Sequence, residues 1–289
     1  MSNYVIVSDS SCDLPADWIA ANRVEVIPLT VDIDGKTYRN YPDERDITFH
    51  DFYELLRAKK VGKTAQLSPD AFVQTVEPLL KAGNDVLALG FSSALSGTYN
   101  SMRLGAEELR ERYPARKIVV IDTLSASLGQ GMLVYRANEL KQEGKSLDTV
   151  AQYIEDNKLR LNHLFTVDDL GTLKRGGRLT ASLAFIGTIL NLKPVMRMDN
   201  DGRLVPWGKK HGRKVALRAL IDRMEETIME DRLIFISHGD CLAEAEQLKD
   251  TIVALHPNTK VFLINHVGPV IGAHSGPGTM ALFFFGKER

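Results

Sequence analysis

The 289-residue sequence lacks most of the features that would assign it to a class outright. Its two cysteines, Cys12 and Cys241, are too few for a disulfide framework or for a zinc cluster built from cysteine alone. No run of about 18 apolar residues is present, so no segment is predicted to span a membrane. The start, Met1 to Asp9, has no basic stretch followed by an apolar one, so it does not read as a signal peptide. Neither charge sign is in excess: 36 Lys+Arg face 37 Asp+Glu, a formal net charge of −1. That balance argues against a general nucleic-acid binder, which needs a basic surface to neutralise phosphates. Aromatic residues make up 7% and are not interleaved with basic runs, which argues against stacking on bases. What remains, 44% apolar and 25% charged residues, is ordinary for a globular protein. The length suggests about two domains, with a core large enough to need no staples. The expectation is a cytoplasmic α/β protein of a reducing compartment.

The first half alternates apolar β-type runs with helix-type segments. Tyr4–Ser8, Val24–Ile33, Asp85–Gly90 and Lys117–Asp122 read as strands, with Lys36–Arg39 running back after Asp34-Gly35 as an edge strand. Pro15 opens a short helix. Thr48 with Asp51 resembles a capping box, Ser68-Pro69-Asp70 is another helix start, and long helices follow from Ser96 and Ser127. This rhythm predicts a mostly parallel sheet covered by helices.

The second half changes rhythm after a helix over Ser146–Lys158. Pro194–Asp199 and Arg203–Lys209 flank Asn200-Asp201-Gly202 as a β-hairpin. His163–Val167, Leu233–Ser237, Val261–His266, Val270–His274 and Met280–Gly286 are strand candidates, with helices over Gly212–Glu230 and Ala243–Leu255. The apolar stretch Thr180–Asn191 is expected to be helical. The fold class is therefore α/β in two domains. Residues 1–160 form a Rossmann-like domain with a mostly parallel sheet. Residues 161–289 form an α+β domain with a mixed sheet, and the ligand cleft lies between the two.

Several tempting motifs fail. Gly62-Lys63-Thr64 looks like the end of a phosphate loop, but Arg57 stands where its first glycine belongs. Gly129-Gln130-Gly131 begins a dinucleotide fingerprint, but Val134 occupies the third glycine position. No G-x-S-x-G elbow exists, and the seven histidines show no metal-ligand spacing.

Four segments rise above background. Phe91 to Tyr99 (FSSALSGTY) places small hydroxyl residues where a strand feeds a helix, a setting that binds anions or simply caps the helix. Thr64-Ala65-Gln66-Leu67-Ser68-Pro69 brings a second hydroxyl, since loops at one edge of a parallel sheet converge on one crevice. Gly268 to Gly278 sets glycines and prolines around His274, as a ligand-contacting loop or a hairpin rim. Lys174-Arg175-Gly176-Gly177-Arg178 groups three cations around two glycines, for an anion, a partner or solvent.

Together with Ser8-Asp9-Ser10-Ser11-Cys12-Asp13-Leu14-Pro15, these segments resemble the DegV family, which includes the fatty-acid-binding subunits of bacterial fatty acid kinase. They follow the family's order over nearly the whole chain. One departure is Thr64-Ala65-Gln66-Leu67-Ser68, where the family usually has Thr-Ser-Gln-Pro-Ser. The resemblance implies a long-chain fatty acid buried between two α/β domains. It implies that Thr64 and Ser96 hold the carboxylate and that His274 lies by the head group. N–H groups near Gly97 and Thr98 would add donors, because an ionised carboxylate out of water is costly without them. Each buried methylene contributes ~0.8 kcal/mol, so the tail supplies most of the affinity and the head group supplies orientation. Thr180–Leu192 is a candidate lining for the tail.

The resemblance further implies a carrier, not an enzyme. A separate ATP-dependent fatty acid kinase would phosphorylate the bound carboxylate to an acyl phosphate, with Arg175 and Arg178 serving that kinase or the added phosphate. No cofactor, metal or nucleic acid is expected, and membrane contact only transiently, for ligand exchange. The residues alone leave three other readings open. One is a serine-dependent hydrolase or transferase using Ser93 or Ser96 with His274, and another is a lipid sensor without a kinase. The third is a redox sensor through Cys12, which has Asp9 and Asp13 nearby and no cation to lower its pKa.

Overall fold

The computed structural model describes residues 3–178, 191–229, 233–259 and 261–289. The first half carries strands β1 (Tyr4–Asp9), β2 (Glu25–Ile27), β3 (Thr30–Ile33), β4 (Lys36–Arg39), β5 (Gly62–Ala65), β6 (Asp85–Gly90) and β7 (Ile118–Asp122). Four of these form an all-parallel sheet in the order β2-β1-β6-β7, and β4-β3-β5 make a small antiparallel sheet beside it. Helices α1 (Ala16–Asn22), α2 (Phe49–Arg57), α3 (Pro69–Lys81), α4 (Thr98–Arg112), α5 (Leu128–Gln142) and α6 (Leu147–Asn157) connect them. Their starts are chemically marked. Thr48 accepts the Asp51 N–H at 3.0 Å, Ser68 that of Ala71 at 3.1 Å, and Ser146 that of Thr149 at 3.2 Å. Each satisfies an N–H that the first helical turn leaves without a partner.

The second half carries β8 (Leu161–Thr166), α7 (Leu170–Arg175), β9 (Leu192–Met198), β10 (Leu204–His211), α8 (Arg213–Thr227), β11 (Leu233–His238), α9 (Leu242–Leu255), β12 (Val261–His266), α10 (Pro269–Ser275) and β13 (Met280–Phe285). Its six-stranded sheet runs β10-β9-β8-β13-β11-β12 and is mixed, with only β11 and β12 parallel neighbours. The expected α/β class, with a parallel sheet first and a mixed one second, is the observed one.

Helix α5 lies between the two sheets and packs on β1 and β6 on one side and on β8, β11 and β13 on the other. Met132, Leu133, Val134 and Ala137 are fully buried in a single apolar cluster that also takes in Ile6, Leu89, Phe235 and Phe283. Fully burying a Leu, Val or Met contributes about 1.5–3 kcal/mol. The Gly129-Gln130-Gly131 pair belongs to this packing. A Cβ on Gly131 would sit 2.5 Å from the Cys12 carbonyl, and one on Gly129 would overlap the His163 ring. The glycines admit a helix between two sheets, with no role in a nucleotide loop.

Two expected strands are corrected. Val24–Ile33 divides into β2 and β3, which serve different sheets. Pro28 between them has no N–H to give a ladder. Val270–His274 is not a strand but the body of α10. Pro269, fixed near a helical φ, opens this helix and Gly276 at φ 81° closes it. The Leu170–Arg178 segment starts as a short helix, α7, capped by the Asp169 carboxylate on the Gly171 N–H at 2.7 Å. The helix expected over Thr180–Asn191 and the tail lining expected over Thr180–Leu192 lie outside the described residues except at Asn191 and at Leu192, which opens β9.

Candidate ligand site

Between the two halves lies a cavity of about 410 Å³, within the range of small-molecule pockets. Its apolar wall includes Leu29, Phe91, Phe165, Leu173, Met198 and Phe283. The face of the second sheet supplies part of it. Phe165, Ala281 and Ser237 are direct neighbours across β8, β13 and β11, and all three line the space. The opposite wall comes from β5 and from the loops that leave the C-terminal ends of β2, β6 and β7. Such loop ends are where ligands of parallel sheets collect.

Thr64, Ser96, Gly97, His274 and Arg178 all line this cavity. Thr64 Oγ1 lies 2.8 Å from His274 Nε2, joining β5 to α10 across 210 residues of sequence. Ser96 Oγ lies 3.0 Å from Thr98 Oγ1 and accepts the Thr98 N–H at 3.2 Å. Gly97 is the residue before α4, and a Cβ there would overlap the Gln66 side chain, another wall residue. Only glycine lets the β5 edge and the α4 start approach this closely. Among the described residues, the Gly97 N–H meets no protein acceptor. Hydroxyls and a helix N-terminus thus face one largely apolar space, as a buried anion requires.

Thr98 departs from expectation. It does not line the cavity; its side chain is fully buried and its Oγ1 accepts the Leu67 N–H at 3.2 Å. Its own N–H goes to Ser96, so Thr98 holds the two loops in place and is a positioning residue. Ser92, in the same loop, donates to the Gly202 carbonyl at 2.9 Å and ties the loop to the β9–β10 hairpin.

Burial, reinforced by the charge of Arg178, pushes the His274 imidazole down to about 4. The ring is therefore neutral near pH 7, and its buried Nδ1 has no hydrogen-bond partner among the described residues. A catalytic serine needs the reverse: a base free to face it and a carboxylate orienting that base. Here Nε2 faces Thr64 and Nδ1 meets no carboxylate. Cys12 is fully buried, and that burial pushes its thiol up, away from thiolate chemistry.

A second, more polar cleft of about 850 Å³ opens against the first. Lys59, Lys60, Lys63, Arg175 and Arg178 line it, against the carboxylates Asp168 and Asp169. Thr64, His274 and Arg178 line both spaces. Arg178 donates to the Leu95 carbonyl at 3.2 Å and to the Gly176 carbonyl at 2.6 Å, so its guanidinium is held at this boundary. Arg175 is confined to the outer cleft.

Sequence reasoning missed a third polar group in the inner cavity, Ser127 and Ser237 backed by Asp13. The only linear signals are Ser237 at the end of an apolar run and Ser127 at a helix start. It also missed the meeting of His50, Glu54 and Asp240 across the two halves. There Arg57 already bridges the two carboxylates, at 2.6 Å and 2.5 Å.

The fold and site define a class: an α/β protein with a parallel and a mixed sheet enclosing a largely apolar ligand cavity with a polar end. The chain belongs to the DegV family, whose profile, described as that of an uncharacterised protein family, matches residues 3–287. A DegV domain-containing protein of Clostridium perfringens is 41% identical over 291 residues, covering 100% of this chain and 99% of its own. A DegV family protein from Thermus thermophilus, solved for its fatty acid binding, superposes with a TM-score of 0.87 at 34% identity, covering 98% and 99% of the two chains. DegV from Bacillus subtilis, described as a fatty acid binding protein, gives 0.85 at 28% identity, covering 99% and 100%.

Proposed function

We propose that this protein binds a long-chain fatty acid in the inner cavity and presents its carboxylate to a separate ATP-dependent kinase. The observation that carries the reading is the shared boundary: Thr64, His274 and Arg178 line both the apolar cavity and the cation-lined cleft outside it. An acyl chain is stabilised on the apolar side by ~0.8 kcal/mol per methylene. The carboxylate takes donors from Thr64, Ser96 and the Gly97 N–H, with the His274 imidazole behind Thr64. It then lies next to a space whose lysines and arginines suit phosphate. Arg175 and Arg178 meet the kinase or the phosphate being added. Fatty acid binding by the Thermus and Bacillus relatives supports the ligand class. In this reading residues 1–160 carry the head-group loops and residues 161–289 close over the tail, a division favoured by the start of the second sheet at Leu161.

The protein on this account is a carrier and not itself the catalyst. Two measurements test it. Mass spectrometry of an organic extract of the purified protein should show a long-chain fatty acid. ATP-dependent acyl-phosphate formation should then appear only when a fatty acid kinase is added. A bound acid that no kinase can phosphorylate makes the protein a lipid sensor, and no bound or bindable acid removes the reading altogether.

A further inference from the structure

A polar group lies inside the cavity that the carboxylate site does not use. Ser127, at the start of α5, and Ser237, on β11, both line the space, and their hydroxyls are 2.9 Å apart. Behind them Ser127 Oγ bonds Asp13 Oδ2 at 2.5 Å. Asp13 is 6% exposed, and its Oδ1 is buried beside the Gly268 backbone. Ser127 is held at φ 54°, ψ −145°, a region that costs any residue with a Cβ and that persists only where the surroundings impose it.

Its place along the cavity follows from α10. Asp13 Oδ1 packs against Gly268, where a Cβ would stand 2.7 Å away, and Gly268 is the residue before that helix. His274 is in its last turn. At 1.5 Å per residue, the Gly268 and His274 positions, beside which the two polar groups pack, differ by about 9 Å of helical rise. An extended chain advances roughly 1.2 Å per bond, so that rise corresponds to about seven or eight bonds, toward the middle of a long chain.

The chemistry of the spot is that of a relay. Whichever way the hydrogens run from Asp13 through Ser127, Ser237 presents to the cavity either lone pairs or its O–H. A methylene satisfies neither arrangement. A ketone accepts but cannot donate, whereas a hydroxyl does both. We infer that the Asp13–Ser127–Ser237 group is a second recognition subsite, selecting fatty acids that carry a hydroxyl near the middle of the chain. This inference rests on the fatty-acid reading above and names the substrate class for it.

The test uses delipidated full-length protein and displacement of a fluorescent fatty acid. The competitors are a saturated eighteen-carbon acid, its hydroxy isomers with the hydroxyl mid-chain or near the methyl end, and the mid-chain ketone. The mid-chain hydroxy acid should bind at least as tightly as the parent. The isomer hydroxylated near the methyl end should bind at least tenfold weaker, because its hydroxyl is buried out of reach of Ser237. In Ser237→Ala the ratio of hydroxy-acid to parent affinity should fall about tenfold. Ser127→Gly, which removes the hydroxyl and relieves the backbone, should shift the ratio in the same direction and guards against a folding defect in the first variant. Rejection of every hydroxy isomer by the unaltered protein, or an unchanged ratio in both variants, overturns the subsite while leaving fatty acid binding intact. Failure of the parent acid itself to bind removes both proposals.

Discussion

Replacing Thr64 by valine isolates the head-group interaction from the rest of the cavity. Valine keeps the shape of the side chain and the β-branching that suits β5, but it removes the hydroxyl that meets His274 at 2.8 Å. If that hydroxyl is one of the donors to an ionised carboxylate, its loss removes a charge-assisted hydrogen bond, about 1.5–3 kcal/mol. At ~1.4 kcal/mol per decade this weakens binding about 10- to 150-fold. The decrease should be the same for acids of different length, since the tail contacts are untouched. Thr64→Ser should restore most of the affinity. Ser96→Ala is less clean, because Ser96 also accepts the Thr98 N–H and its removal disturbs the start of α4. The decisive control is the methyl ester of the same acid. With no charge to neutralise, the ester should bind wild type and Thr64→Val alike. Dissociation constants from displacement or calorimetry read the effect. An acid affinity within twofold of wild type, or equal losses for acid and ester, would refute the placement of the carboxylate.

Three further outcomes follow from the same geometry. Arg175→Ala should lower kinase-dependent acyl-phosphate formation at least tenfold and leave acid affinity within threefold, because Arg175 lines only the outer cleft; a matching loss of acid affinity would place Arg175 at the wrong site. Gly131→Ala should destabilise the fold by about 1–3 kcal/mol, since its Cβ would press on the Cys12 carbonyl, and an unchanged urea midpoint would contradict the packing of α5. Burial pushes the Asp13 carboxyl up from 3.8 to about 8. Between those values the unfolded chain has released this proton and the folded one retains it. Stability should therefore fall as pH rises through this window, by up to about 1.4 kcal/mol per unit. Asp13→Asn should flatten that slope between pH 5 and 8 in denaturant titrations, and parallel curves for both proteins would rule out the buried, protonated carboxyl.

Much of the fold was legible because its signals are local. The side chains of Thr48, Ser68 and Ser146 cap helices within three residues of themselves, and the apolar runs at Tyr4, Asp85 and Ile118 are long enough to show strands. Helix α10 was not legible as a helix, because its Gly and Pro content reads as punctuation until Pro269 and Gly276 are seen as its two ends. Motif order singles out Thr64, Ser96 and His274, and all three line the one cavity. The inward contacts of Thr98 are not legible, because a hydroxyl at a helix start reads the same whether it faces a ligand or a neighbouring loop. The Ser127–Asp13 and Ser127–Ser237 contacts, 114 and 110 residues apart, leave no periodic trace, so only folding discloses them.

The helix clasped between the two sheets has a consequence for how the molecule comes apart. Since α5 shares its buried side chains with both, separating the halves like the covers of a book would expose the spine as well. The backbone amides around Met132 to Ala137 should therefore exchange with deuterated water only when the whole chain unfolds. An occupant of the interior must then enter by local rearrangement at the rim, and melting should register as one cooperative event instead of two.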